Sequence, residues 1–400
     1  MIQHIVIRNF KSVGEVSVDL SPVTVLIGRS GVGKSNFLRA IRFLRNFLLL
    51  GDTAINLEGG WARIWPFGKT APLSFSARFT IPGFSGSFTY DVSWQSYQVR
   101  NQSGMHVDAE RLLLGDTVIF DRNGQNWARW PGEGPAPQGG GRIFLNSFPT
   151  ISEVVLAYTV WTSGIGWHDF PATVFNPSPP SGGSVLGNPS DRASQNIGMI
   201  GGTTGKLSGL DDGASNYLDV IRDITQDLRD QRARRQILAR VKQINPIIDS
   251  LELDSIIQPR RVVVAHNVGG LRIGLDLSQE SDGFRRYYAH LLALYQTPPK
   301  QVLMFEEPEN GIYPGALRNL AEEFRAAPSS GRGQVLLTTQ SPDLLDGFTP
   351  DQLRVVELDE NQLTKVSPLD PAQSEALRAK LLEPGELLTV DSPRAAQTSA

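Results

Sequence analysis

The chain has 400 residues, 40% of them hydrophobic and 20% charged, which supports a sizeable core and excludes wholesale disorder. It has no cysteine, so disulfides, thiolate zinc sites, iron–sulfur clusters and a cysteine nucleophile are all excluded. With 38 basic against 41 acidic residues the net charge is −3, so any nucleic-acid contact must come from a local patch.

In chain order, Ile5–Ile7 is a short apolar strand and Val16–Leu20 an alternating one. Val23–Ile27 is a compact apolar run ending at a glycine, which reads as a buried strand. Asn36–Leu50 places Phe37, Ile41, Leu44, Phe47 and Leu48 at helical spacing. Arg42 and Arg45 interrupt the most apolar stretch. With no signal core at the start and no membrane-length apolar run, a cytoplasmic protein without membrane association is expected.

All seven tryptophans fall between Trp61 and Trp167: Trp61, Trp65, Trp94, Trp127, Trp130, Trp161 and Trp167. Alternation in Leu73–Phe79 and Phe88–Trp94 predicts antiparallel strands. The tryptophans read as the core of an inserted β lobe or, alternatively, as an interface. Pro131–Gly141 and Pro171–Gly209 are low-complexity loops with little to bury, expected to be mobile or to order on a partner.

Asn216–Asn245 is the best helical stretch, ended by Pro246. Arg222, Arg229, Arg232, Arg234, Arg235, Arg240 and Lys242 lie on its polar face, interleaved with Asp219, Asp223, Asp227 and Asp230. That face could touch a phosphate backbone, or it is simply solvated and self-paired. Strands at Arg261–Ala265 and Leu271–Leu275 follow, then a helix at Gly283–Tyr295 and a very apolar strand at Gln301–Phe305. A helix near Pro314–Ala327 and a strand at Gln334–Thr338 complete an αβ alternation. The tail after Asp370 is polar and expected to be partly loose. His4, His106, His168, His266 and His290 show no metal-ligand spacing and read as structural.

The sharpest motif is Gly28-Arg29-Ser30-Gly31-Val32-Gly33-Lys34-Ser35, a phosphate-binding loop between a buried strand and an amphipathic helix. Glycines let successive N–H groups curl around phosphate oxygens. Lys34 reaches the terminal phosphates, the Ser35 hydroxyl suits Mg²⁺, and the helix start adds its positive end. A chance glycine turn is the plainer alternative. Second, the apolar strand before Glu306-Glu307-Pro308-Glu309-Asn310 delivers adjacent acids to its carboxyl end, where α/β sheets bind ligands. One acid would hold Mg²⁺ and the next would polarise water as general base; a solvated acidic turn is the plain reading. Third, Val335–Leu337 runs into Thr338-Thr339-Gln340-Ser341, placed to sense a γ-phosphate. Fourth, Ser281-Asp282-Gly283 opens a helix and could donate N–H groups to phosphate, or be only a cap.

In this order the motifs resemble ABC-type ATPases of the RecF/SMC-like group, and more narrowly the AAA-labelled ATPases related to the OLD family and to PtuA of the Septu system. Ile7-Arg-Asn-Phe-Lys-Ser12, Gly33-Lys-Ser-Asn36 and Asp212-Gly-Ala-Ser-Asn216-Tyr-Leu218 also match. The resemblance covers residues 1–50 and about 210–368, and covers 61–209 poorly. It implies an α/β P-loop ATPase head with an antiparallel β lobe, an inserted Trp-rich region and a short helical arm. Segments would run 1–60, 61–209, 210–258, 259–368 and 369–400. It implies ATP and Mg²⁺ as ligands. The loop from Gly28 to Ser35, with Asn36, would bind triphosphate, and Ser35 and Glu306 would hold the metal. Glu307 would be the base and Gln340 the switch residue, with Phe10 and Lys11 near base or ribose. Ser281, Asp282 and Gly283 would reach the nucleotide of a second subunit, so that a homodimer or higher oligomer sandwiches ATP. Gln95 or Gln98 would couple metal to lobe movement.

Four departures qualify the resemblance. Gln340 stands where the family has His, so hydrolysis is expected to be slow or ATP to act mainly as glue. Glu306 replaces the commoner Asp, and the signature is incomplete. OLD nucleases continue into a Toprim nuclease domain, for which the tail after Asp370 leaves no expected room, so nuclease chemistry would come from a partner effector. The leading expectation is a slow ATPase acting with DNA or an effector, in phage defence or DNA maintenance. The alternative is a non-hydrolysing ATP-gated scaffold; an energising subunit of a membrane transporter is a third reading.

Overall fold

The computed structural model describes residues 1–64, 71–99, 102–124, 126–132, 136, 144–145, 151–176, 209–226, 231–254 and 261–396. Trp65, Leu228, Arg229, Asp227, Asp230, most of the 131–141 loop and nearly all of the 171–209 loop lie outside the described residues. The chain divides into two compact units.

The first unit comprises Met1–Ile165, Pro350–Leu382 and Val390–Ala400. Its strands are β1 (Ile2–Phe10), β2 (Val13–Asp19), β3 (Val23–Ile27), β4 (Leu73–Thr80), β5 (Ser87–Val99), β6 (Gln102–Leu114), β7 (Thr117–Asn123), β8 (Asn126–Arg129), β15 (Leu353–Leu358) and β16 (Thr364–Pro368). They lie in the order β8-β7-β6-β5-β4-β1-β2-β16-β15-β3. The lobe from β8 to β2 is antiparallel throughout, with Ile7 facing Val16 on one side and Phe75 on the other. The pairings β16–β2 and β15–β3 are parallel, the latter placing Val355 beside Ile27. The five residues of β3 are all buried, as its unbroken apolar run requires.

Helix α1 (Lys34–Leu50) begins at the end of the phosphate-binding loop and buries one apolar stripe. Phe43 and Phe47 on it meet Trp94 edge-on at 6.2 and 5.2 Å, and Phe43 also packs on Phe10 and Phe75. Two short helices follow, α2 (Thr53–Leu57) and α3 (Trp61–Ile64), and α4 (Ser152–Thr162) comes after the lobe. Trp161 of α4 sits edge-on against Phe79. Trp94, Trp161 and Trp167 are therefore core residues, whereas Trp61, Trp127 and Trp130 remain partly exposed.

The second unit comprises Gly166–Thr349 and Glu383–Thr389. Its strands include β9 (Ile165–His168), which starts one residue earlier, β13 (Val302–Glu306) and β14 (Gln334–Thr338), in the order β14-β13-β9. Strands β13 and β14 are parallel and in a register that sets Glu306 opposite Thr338. A separate antiparallel sheet holds β10 (Ile248–Asp254), β11 (Arg261–Val268) and β12 (Leu271–Asp276). The helices are α5 (Tyr217–Gln226), α6 (Gln231–Ile244), α7 (Asp282–Tyr295), α8 (Pro314–Ser329) and α9 (Pro342–Leu345). Of the expected helix over 216–245, Tyr217–Gln226 and Gln231–Ile244 are helical, and residues 227–230 lie outside the described residues.

Arg240 of α6 reaches Glu322 and the buried Glu323 of α8, and Glu323 also accepts from Arg332 and Tyr295. Burial pushes Glu323 up, but the two arginines and the tyrosine outweigh it and hold the carboxyl below its ordinary range. His290 lies in an aromatic core with Phe170, Phe305 and Phe324. Burial depresses its pKa to about 4, so it is a neutral structural histidine, as its isolation in the sequence suggests.

The tail departs from expectation. Helix α10 (Pro371–Arg378) is capped by Asp370, Leu369 bridges Ala395, and Gln373 donates to Asp391 and the Ser392 carbonyl. Helix α11 (Glu386–Thr389) buries Leu387 in the second unit. A polar composition hid these anchors because they are a few side chains against backbone rather than an apolar run. Among the described residues no helix is long and apolar enough to cross a membrane.

Candidate functional site

In the first unit the loop after β3 is shaped by three glycines with positive φ: Gly28 at 150°, Gly31 at 82° and Gly33 at 99°. Two of them also have no room for a side chain. A Cβ on Gly28 would lie 2.2 Å from the Val356 carbonyl oxygen, and one on Gly33 2.0 Å from Thr364 Oγ1. Strands β15 and β16 therefore press directly on the back of the loop, so any side chain there would push the loop off its floor. Thr364 Oγ1 donates to the Val32 carbonyl at 2.8 Å and bonds Ser12 Oγ, which accepts from Asn36 Nδ2. Lys34 is buried, its Nζ donating to the carbonyls of Gly28 and Arg29 at 2.8 and 2.9 Å. Helix α1 starts at left-handed Gly33 with no side-chain cap and no acid in its first turn. Its leading N–H groups and dipole thus suit an anion. A buried ammonium, an uncapped helix start and glycines that free the loop backbone fit a polyphosphate.

Phe10 and Lys11 do not fit the nucleotide role expected of them. Phe10 is fully buried between Phe43 and Phe75, which leaves no ring face to stack on a base. Lys11 Nζ is committed to the buried Glu58, which Arg42 also pairs. Burial pushes Glu58 up, but Arg42 and Lys11 outweigh it and hold the carboxyl below its ordinary range. Gln95 donates to Asp108 on the lobe, and the Gln98 side chain lies outside the described residues.

In the second unit the acidic turn after β13 is stitched to the end of β14 by side chains. Glu307 has φ of 43°, a left-handed conformation unusual for a β-carbon residue and characteristic of functional turns. Its N–H donates to Thr338 Oγ1 at 3.1 Å. Its two carboxylate oxygens accept from neutral amides, Oε1 from Gln340 Nε2 and Oε2 from Asn310 Nδ2. Glu309 Oε1 accepts from Thr339 Oγ1 at 2.9 Å and from the Gln340 N–H at 2.7 Å. Burial raises the pKa of Glu309 against those two hydrogen bonds, which lower it.

Glu307 and Gln340, singled out separately in the sequence, are therefore in direct contact. Sequence reasoning placed Thr338 and Thr339 only as part of a γ-phosphate-sensing strand end, and assigned no role to Glu309, nor to Ser12 or Thr364 behind the loop. Glu309 was visible inside the acidic motif. Thr364, more than 300 residues from the loop it braces, had no sequence signal.

Ser281 caps α7, its Oγ accepting from the Phe284 N–H, which is the plain reading of that motif. Asp282 pairs with the buried Arg285. A Cβ on Gly283 would lie 2.6 Å from the Gly311 carbonyl, and Arg286 donates to the Asn310 carbonyl. The start of α7 and the acidic turn are therefore in contact within this unit. On the polar face of the arm, Arg222 pairs with Asp219 and Asp223, and Arg240 and Lys242 face acids. Arg232, Arg234 and Arg235 are exposed. Among the described residues no group of three or more His, Asp or Glu is arranged to hold a metal. Ser35 lies in the first unit and Glu306 in the second, and each carries a hard oxygen donor of the kind Mg²⁺ takes.

Comparison with known proteins agrees with this geometry. The SMC head bound to the C-terminal winged-helix domain of ScpA has a TM-score of 0.54 at 13% identity, covering 94% of this chain and 99% of that one. An SMC head with an extended coiled coil, bound to the C-terminal domain of ScpA from Pyrococcus furiosus, gives 0.53 at 12% identity, covering 95% and 99%. These likenesses establish the ABC-type ATPase fold. An OLD nuclease of Thermus scotoductus is 26% identical over 131 residues, 30% of this chain and only 22% of that protein. Residues 23–346, most of the chain, match the family described as "AAA domain, putative AbiEii toxin, Type IV TA system" (AAA_21), and the chain belongs to that family.

Proposed function

We propose that the protein binds ATP with Mg²⁺ and hydrolyses it slowly. The observation that carries this reading is the loop at the start of α1, where the buried Lys34 and an uncapped helix start suit phosphate and Gly28 and Gly33 let the backbone seat against β15 and β16. Loop N–H groups and Lys34 hold the β- and γ-phosphates, with Arg29, Ser30, Gly31, Val32 and Asn36 shaping the loop. Ser35 and Glu306 would each offer an oxygen to Mg²⁺, which when bound would neutralise phosphate charge. Glu307 accepts the proton of the attacking water as its oxygen bonds the γ-phosphorus, and the bond to the bridging oxygen breaks to release ADP. Gln340, already on Glu307, orients that carboxylate and the γ-phosphate but cannot itself carry the proton.

Two copies would close on nucleotide, each presenting Ser281, Asp282 and Gly283 to the ATP of the other. The cycle would act on DNA or on a partner effector. Solved SMC heads bound to ScpA, a separate protein, support the partner arm. A defence or DNA-maintenance setting is the wider reading; the OLD nuclease match covers 22% of that protein and carries no nuclease activity across. The exposed Arg232, Arg234 and Arg235 are the candidate DNA contacts.

One observation favours a second reading, an ATP-gated scaffold without turnover. Both oxygens of Glu307 are engaged by amides, and a base so occupied must be released before it can take a proton. Phosphate release by the purified protein across a range of concentrations separates the two. A rate per molecule that rises with concentration supports the dimerising ATPase. ATP binding with no release at any concentration contradicts it and leaves the scaffold.

A further inference from the structure

We propose that Glu309 is a positioning residue whose buried carboxylate sets where Gln340 meets Glu307. The proposal rests on the ATPase reading for its consequence, but not for its geometry. Glu309 lies two residues after Glu307 in the acidic turn, and its side chain reaches back to the end of β14 rather than out to solvent. One oxygen, Oε1, takes both the Thr339 hydroxyl and the Gln340 backbone N–H. Thr339 is fully buried, and its Oγ1 also accepts from the Ser341 N–H, so Glu309 fixes the turn on both sides of Gln340.

The Gln340 side chain, leaving from that fixed backbone, donates to Glu307. A reciprocal bond runs the other way, from the Glu307 N–H to Thr338 Oγ1. The two strand ends are thus joined by one bond to the backbone of Glu307, one to the backbone of Gln340 and one to the Thr339 hydroxyl beside it. Without Glu309, nothing else among the described residues is shown receiving the Gln340 N–H, and the amide that orients the base loses its anchor. A carboxylate is not required in this role; an acceptor of the same length at the same place is.

The test uses the full chain with Glu309→Ala, Glu309→Gln and Thr339→Val beside the wild type. Peptide-resolved hydrogen exchange across 336–345, without nucleotide, reads the anchor directly. Glu309→Ala should speed exchange at Gln340 by about ten-fold or more, as expected for loss of a bond to a charged acceptor. Exchange in α1 and α8 should stay within error, while the thermal midpoint falls only as far as the loss of this one acceptor requires. Glu309→Gln, whose amide oxygen still accepts, should restore most of the protection.

In ATP hydrolysis Glu309→Ala should lower kcat by about ten- to a hundred-fold with KM changed less than about three-fold, since the loss falls on the chemical step. Glu309→Gln should recover most of that loss, and Thr339→Val should fall between. Unchanged exchange at Gln340 in Glu309→Ala would overturn the proposal. So would a Glu309→Gln as impaired as Glu309→Ala, or equal rises in exchange throughout the second unit. If Glu309→Ala does not fold, Thr339→Val and Glu309→Gln decide on the same readouts. If the wild type itself releases no phosphate, the ATPase reading falls, and exchange at Gln340 alone decides the role of Glu309.

Discussion

The phosphate-binding loop and the acidic turn are both short connections after buried parallel strands, yet they are made rigid in opposite ways. The loop is held by the absence of side chains: Gly28 and Gly33 let β15 and β16 press against its backbone, and one hydroxyl, Thr364, fills the remaining gap. The turn is held by side chains: Thr338, Asn310 and Gln340 bond Glu307, and Glu309 accepts from the Gln340 N–H. A loop that must offer N–H groups to an anion gains from having nothing in the way. A turn that must aim one carboxylate gains from partners that limit its rotamers.

The contrast can be broken or sharpened by substitution. The largest effect is expected at the carboxylate itself: Glu307→Gln should cut phosphate release by roughly 10²–10⁴-fold while leaving ATP affinity nearly intact. Next comes the loop. Gly33→Ala combines a φ of 99° with a Cβ 2.0 Å from Thr364 Oγ1, so it should abolish nucleotide binding in a titration and lower the unfolding midpoint in urea. The backbone strain alone is worth about 1–3 kcal/mol.

His290 gives a pH-dependent stability in the second unit. Its folded pKa of about 4 lies below the ordinary value of 6.5, so the unfolded chain binds the proton more readily. Its stabilising contribution is complete above about pH 6.5 and is lost as pH falls toward 4, at up to roughly 1.4 kcal/mol per unit. Urea unfolding at pH 7 and pH 5 should show wild type losing more stability than His290→Phe over that window. Equal losses would contradict the assignment.

Gln340→His should add a titration near pH 6.5 to the kcat profile, with the rate falling on the acid side as a cation beside Glu307 weakens it as a base. A profile identical to wild type would show that residue 340 does not act on Glu307. The smallest effect is expected behind the loop. Thr364→Val leaves the Val32 carbonyl without its donor and should cost about 1 kcal/mol, read as a shifted midpoint with little change in kcat.

Much of the first region was legible in the sequence, because its signal is local: eight consecutive residues, a five-residue apolar strand before them and a helix after. What braces it was not legible, since Thr364 and Val356 come from strands at the far end of the chain. Phe10 misled for a related reason. The motif around it suggested a nucleotide contact, but the left-handed Asn9 breaks the alternation that buries Ile5 and Ile7, and the ring of Phe10 after it lies in the core. In the second region the acids and Gln340 were visible one by one. Their pairing was not, because it depends on the parallel register that sets Glu306 opposite Thr338. The arm shows a third case, where alternation of arginine and aspartate correctly suggested self-pairing, as Arg222 displays with Asp219 and Asp223.

The central claim is that the loop holds nucleotide and the turn does the chemistry. Its most direct test measures equilibrium ATP binding and phosphate release side by side for wild type, Lys34→Ala and Glu307→Gln. The account predicts that Lys34→Ala loses binding and release together, whereas Glu307→Gln binds ATP as wild type does and releases no phosphate. Binding that survives in Lys34→Ala, or that vanishes in Glu307→Gln, would contradict it.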